Sequence, residues 1–127
     1  MVIHTGIDIV EVARIKNSIS NSGKHFTDKI YTDSEVKYCI SAVNSFERFA
    51  ARFAAKEAFV KAIGKGFSEG IMFNMIEVAK RETGEPFLVL HDKALDAAEK
   101  LGIESLDVSL SHIKDTAVAT VVILSKN

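Results

Sequence analysis

Nineteen consecutive residues, 46–64, carry twelve apolar side chains, six charged ones and a glycine, and they do not divide into a wet face and a dry one. At about 100° per residue, Phe46, Phe49, Phe53 and Val60 fill one sector of a helical wheel, while Ala50, Ala51, Ala54, Ala58 and Ala62 fill another. Such a helix is predicted to be buried on most sides, so the rest of the chain must wrap around it. Arg52 and Lys56 fall on or beside the aromatic sector, whereas Glu57 and Lys61, four apart, share the stripe between the two sectors. Two readings of these charges stay open. In the first, Glu57 and Lys61 form an i,i+4 ion pair worth a few tenths of a kcal/mol while Arg52 and Lys56 snorkel to water. In the second, the alanines let a backbone or ligand approach closely, Glu57 binds a cation, and Lys61 and Arg52 bind phosphate.

The segments around this helix alternate in type. Residues 2–12 read as a strand, with Ile3, Thr5, Ile7 and Ile9 on one face and His4, Gly6, Asp8 and Val10 on the other. Short helices are predicted over 14–20 and 26–30, broken at Asn21-Ser22-Gly23. Thr32 or Asp33 caps a third through Val36, Cys39 and Ile40. After the long helix come a glycine-containing loop (Gly64, Gly66, Gly70), a strand near 71–78, a turn at Gly84-Glu85-Pro86 and a strand over 87–90. A helix over 92–101 ended by Gly102 precedes a closing hairpin of 106–112 and 116–124. Strands at both ends with helices between them predict an α+β fold, and 127 residues without a linker or repeat predict one domain over 1–127.

Composition narrows the function. A formal charge of −1 gives no support to a nucleic-acid or membrane-surface role. The single cysteine, Cys39, can form no intramolecular disulfide, and no apolar run is long enough to cross a bilayer, so a reducing, cytoplasmic setting is expected. Charge is nonetheless polarised. Residues 13–30 carry Arg14, Lys16, Lys24 and Lys29 against Asp28, a local +3, while 76–107 set four cations against eight carboxylates, a local −4. The basic stretch is either a solvated surface or a means of steering an acidic partner.

Asp8 stands in the middle of an apolar strand, which is costly unless the carboxylate is paired or bound to metal. If it meets Glu57, the two repel unless a divalent ion lies between them, and an all-oxygen pair with room for water and phosphate oxygens suits Mg²⁺. Ser109-Leu110-Ser111-His112 places Ser111 and His112 at a strand end, and no spacing suggests a Ser/His/Asp triad or a P-loop.

Gly6-Ile7-Asp8-Ile9-Val10 with Arg14-Ile15 downstream, Arg52-Phe53-Ala54-Ala55-Lys56-Glu57-Ala58-Phe59-Val60-Lys61-Ala62, Gly84-Glu85-Pro86 and Ser109-Leu110-Ser111-His112 occur in one order along the chain. Together they resemble the holo-[acyl-carrier-protein] synthases, the small stand-alone phosphopantetheinyl transferases. The resemblance implies that family's fold, a compact antiparallel sheet packed with a long buried helix, assembled as a homotrimer with active sites at subunit interfaces. It implies Mg²⁺-dependent transfer of phosphopantetheine from coenzyme A to a serine of apo acyl carrier protein in fatty acid biosynthesis, releasing adenosine 3',5'-bisphosphate. Asp8 and Glu57 then become the metal ligands, and Lys61 neutralises the transferred phosphoryl group. Arg52, Gly64, Pro86, Ser111 and His112 fall where the family contacts the nucleotide and phosphates. Arg14, with the basic stretch that carries Lys16, Phe26 and Ile30, falls where the family docks the acidic helix of the carrier protein. Met75 stands where relatives commonly carry Asp, and Gly66-Phe67-Ser68-Glu69-Gly70 departs from the commonest form of the loop after the helix.

The implied chemistry needs no protein nucleophile, because a metal and a lysine can screen the pyrophosphate electrostatically. The serine proton still needs an acceptor; a metal-bound water or hydroxide held by Asp8 is the preferred candidate and Glu57 the rival. Two other functions compete: a different Mg²⁺-dependent enzyme of phosphate esters, active without carrier protein, and a non-catalytic module that binds an acidic protein and keeps Glu57 and Lys61 as a structural pair.

Overall fold

The computed structural model describes residues 1–64 and 70–127. The loop expected around Gly66 therefore lies outside the described residues. The chain runs β1 (Val2–Glu11), α1 (Val12–Ser22), α2 (Lys24–Ile30), α3 (Asp33–Ile40), α4 (Ser45–Ile63), β2 (Ile76–Lys80), β3 (Pro86–Leu90), α5 (Asp92–Leu101), β4 (Ile103–His112) and β5 (Thr116–Ser125). This is the expected α+β order. One difference concerns the expected strand at 71–78: its first part is a 3-10 turn, Phe73–Met75, and β2 begins only at Ile76. Met75 thus sits in the turn, where its backbone N–H bonds to the Met72 carbonyl and its own carbonyl accepts from His91.

Three strands form one antiparallel sheet in the order β1-β5-β4, and β2 and β3 form a separate hairpin. Gly6, Asp8 and Val10 of β1 lie in register with Val121, Ala119 and Ala117 of β5, and this face carries α4. On α4 the residues Phe49 to Lys56, together with Ala58, Phe59 and Ala62, are all buried. The two-sector wheel is thereby accounted for: phenylalanines fill the space toward α1 to α3, and alanines admit the sheet. Truncating a buried ring such as Phe59, which has no exposed surface, to alanine would cost about 3–5 kcal/mol.

The opposite face of the sheet is uncovered. Ile3, Ile7 and Ile9 are 70%, 60% and 69% exposed, and Val122 on β5 is 48% exposed. The alternation of β1 therefore turns its isoleucines outward and its glycine and carboxylate inward.

Thr32 caps α3 by accepting from the Glu35 backbone N–H, while the Glu35 side chain accepts from the Thr32 N–H, a reciprocal capping box. Glu35 also forms a wholly buried ion pair with Lys56 at 2.7 Å. Lys56 therefore does not snorkel to water, contrary to the expectation from periodicity. Desolvation holds its ammonium below the ordinary lysine range against the opposing pull of Glu35.

Candidate active site

Gly6 is the residue that lets β1 reach α4. A Cβ built on it would lie 1.9 Å from the carbonyl oxygen of Ala58, so only glycine allows strand and helix to approach so closely. Two residues on, the same strand face presents Asp8 to α4. From the helix come Glu57 and, one turn later, Lys61.

Asp8 is 7% exposed. Its Oδ1 accepts from Lys61 Nζ at 3.1 Å, and the same ammonium donates to the Ile7 carbonyl at 3.2 Å. Lys61 thus pairs with Asp8, 53 residues away, and the i,i+4 reading of Glu57 and Lys61 as a pair gives way. Glu57 stands beside Asp8. Burial, followed by the neighbouring Asp8 carboxylate, raises the Glu57 carboxyl above its usual 4.5, while Lys61 and Arg14 pull it the other way. The second oxygen of Asp8, Oδ2, is buried and without a hydrogen-bond partner among the described residues.

An unpartnered buried carboxylate oxygen costs roughly 1–3 kcal/mol or more, so something absent from the bare chain is expected to satisfy it. The donor set fits a hard divalent cation: two carboxylates converge, both supply oxygen, and no third His, Cys, Asp or Glu joins them among the described residues. Oxygen donors of this kind suit Mg²⁺.

Beside Glu57 opens a cleft of about 400 Å³ lined by Lys29, Ile30, Phe53, Glu57, Met72 and Phe73. Phe53 and Phe73 meet edge to face at 5.3 Å, and the Arg14 guanidinium lies 5.4 Å from the centre of the Phe53 ring. Arg14 and Ile30, predicted from sequence as partner-binding residues, therefore flank the carboxylate pair. Phe26 packs edge-on against Tyr31 at 6.2 Å, just behind this cleft in α2. Lys16 points elsewhere: it sits 5.7 Å over Phe46 and lines a different cleft with Glu11, Glu47 and Lys114.

Of the residues carried over as coenzyme contacts, Lys61 reaches Asp8, whereas Arg52, Pro86, Ser111 and His112 have other surroundings within one chain. Arg52 is 5% exposed with its guanidinium 4.2 Å over the Tyr38 ring, which Arg48 also approaches at 4.2 Å, and its Nε has no partner among the described residues. Gly64 ends α4 in the left-handed region at φ 75°, a conformation that costs glycine little. Pro86 opens β3 and lines a cleft with Arg81, Ser109 and Leu110. Ser111 pairs with Val118 on the sheet face opposite α4, and His112 Nδ1 lies 3.6 Å from Glu47 Oε1. Cys39 offers no nucleophile, since burial pushes its thiol up to about 12.

Sequence reasoning missed Glu35, Tyr38, Met72 and Phe73. Glu35 alone had a readable signal, the Thr32-x-x-Glu35 spacing, but that spacing announces a cap and not a buried ion pair.

The family described as ACPS, the 4'-phosphopantetheinyl transferase superfamily, matches residues 4–121. A holo-[acyl-carrier-protein] synthase of Koribacter versatilis is 48% identical over 123 residues, covering 97% of this chain and 98% of its own. The crystal structure of the Neisseria meningitidis holo-[acyl-carrier-protein] synthase superposes with a TM-score of 0.88 at 32% identity, over 96% of this chain and 98% of that one. The Helicobacter pylori synthase, solved in complex with coenzyme A, superposes with a TM-score of 0.80 at 32% identity, over 94% and 99% of the two chains.

Proposed function

This chain belongs to the 4'-phosphopantetheinyl transferase superfamily, and we propose from that membership that it transfers phosphopantetheine from coenzyme A to a serine of apo acyl carrier protein. The observation that carries the assignment of residues is the convergence of Asp8 and Glu57, with Asp8 Oδ2 left unsatisfied. In the reaction the serine oxygen forms a bond to the phosphorus that bears pantetheine, and the bond from that phosphorus to the bridging pyrophosphate oxygen breaks. Adenosine 3',5'-bisphosphate leaves with that oxygen. A bound Mg²⁺ would supply charge neutralisation at the pyrophosphate.

The chain's own residues do the rest. Asp8 and Glu57 hold the cation's site. Lys61, whose side chain is 54% exposed and already within reach of Asp8, presents its ammonium to the phosphate oxygens that gain charge. A water held at Asp8 is the preferred acceptor of the serine proton, and Glu57 beside it is the rival. Arg14, with Ile30 at the mouth of the cleft beside Glu57, receives an acidic amphipathic helix of the carrier protein and so brings its serine to the carboxylates. Phe26 adds apolar surface from α2, and Lys16 contributes long-range charge only.

The exposed isoleucine face supports self-association, and we assign it to a homotrimer of 127-residue single-domain subunits. Ser111 shares that face in register with Ile9 and Val118. A site shared between subunits would bring Ser111, His112, Pro86 and Arg52 of one chain toward the Asp8 of another, which reconciles their separation within a single chain. No helix among the described residues is long and apolar enough to cross a membrane; the cytoplasmic location is part of the proposal. The deciding experiment incubates apo carrier protein with this protein, coenzyme A and Mg²⁺, followed by intact mass spectrometry. A phosphopantetheine mass gain that requires the metal is expected; no gain refutes the assignment.

A further inference from the structure

Glu35 and Lys56 take no part in the chemistry above, yet every donor of the Lys56 ammonium is used. It donates to Glu35 Oε1 at 2.7 Å, to the Phe73 carbonyl at 3.2 Å and to the Ile76 carbonyl. Glu35 in turn accepts from the Thr32 N–H and, through Oε2, from the Val78 N–H, each at 3.0 Å. One buried pair thus ties α4 to the start of α3, to the 3-10 turn and to β2. Such a pair is poorly explained as a source of stability, because desolvation generally offsets its attraction and an apolar replacement often serves as well. Its geometry suggests another use.

Lys56 and Ala58 are two residues apart, which places them about 200° apart around the helix. Ala58 is the point where Gly6 presses β1 against α4. The helix is therefore gripped from opposite sides, at Ala58 by the strand that carries Asp8 and at Lys56 by the Glu35 network. Glu57 lies between the two grips. A side-chain group about 6 Å from the axis moves by about 1 Å for a roll of roughly 10°. The same anchor fixes Phe73, whose ring packs on Phe53 in the wall of the cleft beside Glu57.

We infer that Glu35 and Lys56 are positioning residues: the pair sets the rotation of α4 at which Glu57 meets Asp8 and the cleft wall stands beside it. This rests on the reading of Asp8 and Glu57 as the cation site. The test compares Lys56→Met with the charge-neutral double variant Glu35→Gln/Lys56→Met, in which no unpaired charge is left buried. Three quantities are measured: thermal unfolding, kcat and KM for coenzyme A and carrier protein, and Mn²⁺ affinity of the protein alone by electron paramagnetic resonance.

The double variant is expected to melt close to the parent, to lose roughly tenfold to a hundredfold in kcat with little change in either KM, and to bind Mn²⁺ more weakly. Full kcat and full Mn²⁺ affinity in the folded double variant would overturn the inference. So would collapse of folding in both variants, since the pair would then be a stability element. Glu57→Gln is run alongside. If it leaves Mn²⁺ affinity unchanged, the reading of the cation site has failed, independently of what Lys56 does.

Discussion

Gly6→Ala adds one methyl group at the tightest point of the molecule. Gly6 does not have a positive φ, so alanine meets no backbone strain there, and the whole effect comes from contact. The new Cβ would lie 1.9 Å from the Ala58 carbonyl oxygen and 2.9 Å from the Ala62 nitrogen, where ordinary contact begins at 3.4 Å. Both neighbours are helix backbone and cannot swing aside as a side chain would. The strand must retreat from α4 by about 1.5 Å, the difference between 3.4 and 1.9 Å. Overpacking of this kind costs typically about 1–3 kcal/mol, and the rigid partners place this case at the upper end. For a domain of this size that corresponds to a fall in melting temperature of roughly 10 °C. Asp8 travels with the strand, so its 3.1 Å contact with Lys61 would open beyond bonding distance. A misplacement of about 1 Å can cost a hundredfold in rate, so the folded variant should lose about that much transfer activity at low temperature. Urea unfolding followed by circular dichroism, with the mass-spectrometric transfer assay at a temperature where the variant is folded, measures both. Wild-type stability together with wild-type rate would refute the argument that glycine is there for close approach.

Asp8→Ala and Glu57→Ala should each abolish most transfer and weaken Mn²⁺ binding, while Lys61→Ala should slow transfer with Mn²⁺ affinity largely kept; near-normal activity of either carboxylate variant removes that residue from the site. Ile7→Lys, on the uncovered sheet face, should convert a species of about three times 13.9 kDa in sedimentation into a monomer and remove activity with it, and a fully active monomer would sink the shared site. Arg14→Glu should raise the KM for carrier protein and alter its salt dependence with the KM for coenzyme A unmoved, so a parallel shift in both constants argues against docking at α1. The metal-free protein should lose stability as pH rises, because Glu57 titrates higher in the folded chain than its ordinary 4.5. Its contribution is complete below pH 4.5 and disappears as pH climbs through the folded value. Glu57→Gln should flatten that decline in melting temperature above pH 4.5, and an unchanged slope would assign it to another group.

The long helix was legible because a wheel with two apolar sectors has few ways to be satisfied, and α4 runs within a residue of the expected bounds. The alternation of β1 was equally plain, but period two defines two faces without saying which turns inward. Here the carboxylate face went in and the isoleucines stayed out, which no single-strand pattern dictates. Lys61 looked like the i,i+4 partner of Glu57 because helix geometry is local, whereas its actual partner arrives from a strand 53 residues earlier. Lys56 looked like a snorkelling side chain for the same reason; the acceptors that bury it come from α3, the 3-10 turn and β2, none of which is near it in sequence. Ser111 and His112 stood out only as polar residues at a strand end, and Pro86 only as part of a turn; their assignment as nucleotide contacts entered through resemblance.

The sheet's pairing order has a consequence for when the site comes into being. β5 is the central strand and the last of the five, and β1 bonds to nothing else in the sheet. Val10 must wait for Ala117, a separation of 107 residues in register. During synthesis at roughly 5–20 residues per second, β1 therefore spends several seconds without a hydrogen-bonded partner, its isoleucines on one side and Asp8 on the other. Local elements such as the α3 cap and the β2–β3 hairpin can form in that interval, but the strand that carries Asp8 is not secured by its hydrogen-bond ladder until β5 arrives. Closure of so long a loop is intrinsically slow, so recovery of divalent-cation binding should trail recovery of helix signal in a refolding experiment.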